Sequence, residues 1–62
     1  MLNKDNIRNY IQDHQQEIDE LVEARAQLTN ETARKAIQEK INYLEDNKAR
    51  CMMQARAWGV SV

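Results

Sequence analysis

The sequence predicts an all-α fold, a two-helix antiparallel hairpin, on three observations. Proline is absent and glycine occurs once in 62 residues, while Ala, Gln, Glu, Lys, Arg, Asn, Leu and Ile fill the chain. Each half carries its apolar residues at alternating spacings of four and three, the seam of a coiled coil. Folded about residue 31, the two seams oppose each other along their whole length.

The first helix is expected over about residues 3–28. Its seam runs Ile7, Ile11, His14, Ile18, Leu21, Arg25 and Leu28, with only His14 and Arg25 polar. Asn3 suits the N-cap, and Leu2 stands five residues before Ile7, the spacing of a hydrophobic staple. A turn is expected over about 29–32, where Thr29-Asn30-Glu31-Thr32 offers cap residues and Glu31 complements the new helix N-terminus. With neither Gly nor Pro there, one unbroken helix of about 55 residues is the alternative. The second helix, about 32–58, repeats the seam with Ile37, Ile41, Leu44, Lys48, Cys51, Ala55 and Trp58. Gly59 then stands where a left-handed residue ends a helix, followed by Val60 for the accompanying apolar contact.

Register decides between the two alternatives. Ile7 opposes Ala55, Ile11 opposes Cys51, His14 opposes Lys48, Ile18 opposes Leu44, Leu21 opposes Ile41 and Arg25 opposes Ile37. The residue numbers of each pair sum to the same value, so the hairpin closes seam on seam with local contacts.

A chain this short is one domain, residues 1–62, and buries only roughly 60% of its unfolded surface. One cysteine makes no internal disulfide, and Cys51 with His14 gives too few ligands for structural zinc, so no metal or cofactor is expected. Self-association is the remaining supplement. Tyr10, Val22, Tyr43 and Met52 flank the seams and are the expected oligomer interface, a dimer forming a four-helix bundle. Without an apolar span or a signal-peptide pattern, a cytoplasmic location and no membrane contact are expected.

His14 is read as a polar layer that fixes register against Lys48, and Cys51 as a small buried hydrophobe, so no residue is assigned to catalysis and the protein is not expected to be an enzyme. The charge is more informative. Residues 1–28 hold six acids (Asp5, Asp13, Glu17, Asp19, Glu20, Glu23) against three bases, a net of −3. Residues 29–62 hold four acids against six bases, a net of +2, which together give the −1 of the chain. Acids at i,i+3 and i,i+4 repel mildly within a helix. Asp13, Asp19, Glu20 and Glu23 therefore read as a stripe that docks into a basic groove on another protein, and a small non-enzymatic interaction protein or inhibitor is the function expected.

The length, the near-central break and the seam resemble the Rop family of small plasmid-encoded helical-hairpin RNA-binding proteins, which dimerise into four-helix bundles. That resemblance implies a nucleic-acid-binding adaptor as the second functional expectation. The acidic first helix departs from the basic RNA-contacting face of that family, and the bases Arg34, Lys35, Lys40, Lys48, Arg50 and Arg56 are spread around the second helix.

Overall fold

A computed structural model describes all 62 residues. Two helices, α1 (Ile7–Gln27) and α2 (Glu31–Ala57), pack against each other, and there is no strand. The molecule is a rod of 43 × 18 × 14 Å. Its radius of gyration, 13.7 Å, exceeds the roughly 10.6 Å of a compact chain of this length. No helix is long and apolar enough to cross a membrane.

Entry into α1 is more elaborate than a single cap. A turn over residues 4–6 precedes the helix. Asn3 Oδ1 accepts from the backbone N–H of Asp5 (2.8 Å) and of Asn6 (3.0 Å), and Asn6 Oδ1 accepts in return from the Asn3 N–H (2.8 Å). This is a capping box in which Asn6 takes the place usual for Glu or Gln. The Ile7 N–H donates to the Asn3 carbonyl at 3.0 Å, and Leu2 packs on the cluster that contains Ile7, so the staple and the box fix the entry angle together.

The hairpin needs no glycine at its bend because no residue there takes a positive φ. Leu28 leaves the helix in extended conformation (φ −89°, ψ 140°), and Asn30 is also extended (φ −76°, ψ 120°). Asn30 Oδ1 accepts from the Ala33 N–H at 2.9 Å and starts α2, with Glu31 in its first turn. The chain ends α2 with a Schellman motif: the Gly59 N–H donates to the Arg56 carbonyl at 3.0 Å and the Val60 N–H to the Ala55 carbonyl at 2.8 Å. Gly59 has φ +79°, and Val60 packs on the cluster that contains Ala55.

The core consists of two clusters separated by a polar layer. Ile7, Ile11, Cys51 and Ala55 form the one near the termini, joined by Leu2, Met52, Trp58 and Val60. Ile18, Ile41 and Leu44 form the other, joined by Leu21 and Ile37. Between them lies His14, 9% exposed. Its partner is not Lys48, as register arithmetic suggests, but Asn47, whose Nδ2 stands 2.8 Å from Nε2. Lys48 turns to the other side of the seam and donates to Gln15 Oε1. The physical reason is desolvation: a half-buried ammonium stays near water, whereas a neutral amide can follow the imidazole inward.

Candidate functional site

Asp13, Asp19, Glu20 and Glu23 are all exposed on α1. At 100° per residue, Asp13 and Glu20, seven apart, share one line, and Glu23 lies beside Glu20 on the side away from the seam. Asp19 stands nearer the seam and accepts from Gln15 Nε2 at 2.8 Å, while Glu20 accepts from Gln16 Nε2 at 3.4 Å. Neutral amides thus line the stripe without neutralising it. The molecule holds one ion pair, Arg50 with Asp46, and that lies on α2. All the acids of the α1 stripe are without a cationic partner in the chain.

The bases are used differently. Arg25 donates to Gln38 across the hairpin, Arg8 donates to the Ser61 carbonyl at 2.8 Å, and Lys48 is held by Gln15. Lys40 stands 5.3 Å from the centre of the Tyr43 ring. Arg25, Arg34 and Lys35 gather with Glu31 and Gln38 around a surface hollow of about 270 Å³ at the bend. Three bases thus gather at the bend, while Arg8, Lys40 and Lys48 stand apart from them.

Tyr10, Val22 and Tyr43 are exposed (38%, 38% and 62%), and Met52 is half-buried against the terminal cluster. The structure does not bring the four together. Tyr10 lies on the side of the seam where Asn47 Nδ2 donates to its hydroxyl at 3.5 Å, and Tyr43, four residues before Asn47, shares that side. Val22, seven after Gln15, and Met52, four after Lys48, share the side where Lys48 meets Gln15. We call these the tyrosine flank and the glutamine flank.

His14 is fully satisfied. A carbonyl only accepts, so Nδ1 carries the proton and donates to the Tyr10 carbonyl at 3.0 Å, which leaves Nε2 to accept from Asn47. The Tyr10 ring lies over it with centroids 4.4 Å apart. No buried side-chain nitrogen or oxygen lacks a partner. Cys51 is a free, buried thiol between Ile7, Ile11 and Ala55. No group of three His, Cys, Asp or Glu side chains converges as a metal-binding set.

Asn47 and Gln15 are the residues that sequence reasoning missed. Each lies one position from a seam residue and carries an amide beside a seam His or Lys, which is the signal that marks them. No protein-family model, curated protein or solved structure matches this chain.

Proposed function

We propose that this chain is a small, non-enzymatic interaction protein that associates with itself and binds or inhibits a larger protein through the acidic outer face of α1. The observation that carries the reading is the absence of any cationic partner for Asp13, Asp19, Glu20 and Glu23, although nine bases are present in the chain. Like charges on adjacent helical turns weaken the helix mildly, and the hairpin sets only the neutral amides of Gln15 and Gln16 against them. A basic groove on a partner would offset the repulsion, and its field would steer the encounter.

Replacing the four acids with Gln tests this. Helicity should be unchanged or higher, because Gln is as good a helix former as Glu and better than Asp. The chain, immobilised, should capture a basic protein from cell extract, and the variant should associate with it about tenfold or more slowly at low salt, with the ionic-strength dependence lost. Unaltered association would return the stripe to a solvated surface. Salt-sensitive retention on heparin by the wild-type chain, lost when the α2 bases are replaced, would then favour the nucleic-acid adaptor.

A further inference from the structure

The tyrosine flank is a second heptad stripe beside the seam. On α1, Tyr10, His14, Glu17, Leu21 and Ala24 repeat the spacing of four and three, and on α2, Ala33, Ala36, Lys40, Tyr43, Asn47 and Arg50 do the same. The charges of this flank are sorted by helix: Glu17 on α1, with Asp13 and Glu20 at its outer edge, and Lys40 and Arg50 on α2. The glutamine flank mixes signs on each helix, with Arg8 and Asp19 on α1 and Arg34, Glu45, Lys48 and Arg56 on α2. Charge complementarity and the exposed rings of Tyr10 and Tyr43 therefore favour covering the tyrosine flank.

The hairpin alone leaves much surface wet. It exposes 4701 Å², against roughly 4,200 Å² for a compact monomer of its mass, and 8 of its 62 residues are buried. Charge selects what covers it. The α1 half is net −3 and the α2 half net +2, so a copy that sets α1 against α1 brings acid to acid, and one that sets α1 against α2 brings acid to base twice.

We propose, resting on the self-association above, that a second copy of this chain covers the tyrosine flank, with α1 of each copy packed against α2 of the other about a twofold axis parallel to the helices. All neighbouring helices in this bundle are antiparallel, and the two acidic helices lie on a diagonal. The axis keeps the two copies level, so the register that puts Ile18 level with Leu44 also sets Glu17 midway between Lys40 and Arg50 of the partner copy, about 7.5 Å along the axis from each. Long basic side chains span that offset. Ala24, Ala33 and Ala36 let the backbones approach near the bend, and the outer acids Asp19, Glu20 and Glu23 remain in solvent. Tyr43, the most exposed aromatic residue of the flank, is buried in the assembly.

Sedimentation equilibrium of the full chain at micromolar concentration should give twice 7.3 kDa. Tyr43→Glu and Ala36→Glu, both at exposed positions of the hairpin, should keep its helicity and raise the dimer dissociation constant about tenfold or more. Val22→Glu and Met52→Glu should change it about twofold or less. Glu17→Lys alone should weaken the dimer, and the exchange Glu17→Lys with Lys40→Glu should restore it, since it reinstates the α1-to-α2 pair. A dimer broken by the glutamine-flank variants and indifferent to the tyrosine-flank ones overturns this geometry while self-association stands. Exchange without restoration overturns the α1-to-α2 pairing. A wild-type chain that stays monomeric overturns both this proposal and the self-association it rests on, independently of any effect of the acidic stripe on another partner.

Discussion

Asn47 holds the one polar layer of the core in place. One of its amide hydrogens serves His14 Nε2 and the other the Tyr10 hydroxyl, so a single side chain ties α2 to two side chains of α1. Asn47→Ala leaves a buried imidazole nitrogen unpaired and should cost about 1 kcal/mol, a drop in melting temperature of roughly 4–8 °C for a domain this size. Thermal unfolding followed by circular dichroism measures it. The paired replacement His14→Leu with Asn47→Leu removes both partners and should be at least as stable as the wild type, because the desolvation of each polar group disappears with it. A large loss in the double variant would mean that the network does more than satisfy itself. At the other end of α2, a Cβ on Gly59 meets nothing within 4 Å, so Gly59→Ala should suffer from its positive φ alone, about 1 kcal/mol.

The start of each helix rests on an asparagine. Asn3 opens the turn before α1 and Asn30 opens α2, and both use Oδ1 to accept from backbone N–H groups that have no intrahelical partner. Asn30 also separates the hairpin from the long-helix alternative, since its extended backbone and that of Leu28 turn the chain without glycine or proline. Asn30→Ala should cost about 1 kcal/mol and Asn30→Gly only a few tenths, because Gly keeps the backbone freedom and loses only the side-chain bond. Equal losses in denaturant midpoint for the two variants would contradict a capping role. Arg25 in the last turn of α1 and Arg56 in that of α2 complement the helix dipoles, so the ends agree electrostatically with the caps.

Two small clusters hold a rod together, and that leaves little reserve. For 62 residues the usual range corresponds to about 3–9 kcal/mol of stability. Ile41, 2% exposed at the centre of the bend-side cluster, should lose about 2–5 kcal/mol on replacement by Ala, enough to unfold much of the population. If a second copy covers the tyrosine flank, the midpoint of that variant should rise with protein concentration, as mass action requires. A midpoint independent of concentration would mean that the hairpin stands alone. The contacts of the fold join residues close along the hairpin, so refolding should be fast and free of slow phases, there being no proline to isomerise.

By itself the sequence determined the two helices, their seam-on-seam register and their closing motif, because a period of four and three, a missing proline and a glycine before an apolar residue are local statements. Ile7, Ile11, Ile18, Ile41, Leu44, Cys51 and Ala55 are the core that this periodicity marks. The acids of α1 were equally legible, since charge is counted along the chain. Tertiary structure decided what depends on the exact rotation of one helix against the other. It gave Asn47 to His14 and Gln15 to Lys48, two neighbouring positions in the chain that a turn of 100° sends to opposite sides of the seam. It likewise divided Tyr10 and Tyr43 from Val22 and Met52. A heptad pattern fixes which residues face the partner helix, but the flank on which each remaining side chain finds water or a hydrogen bond is set only when both helices are in place.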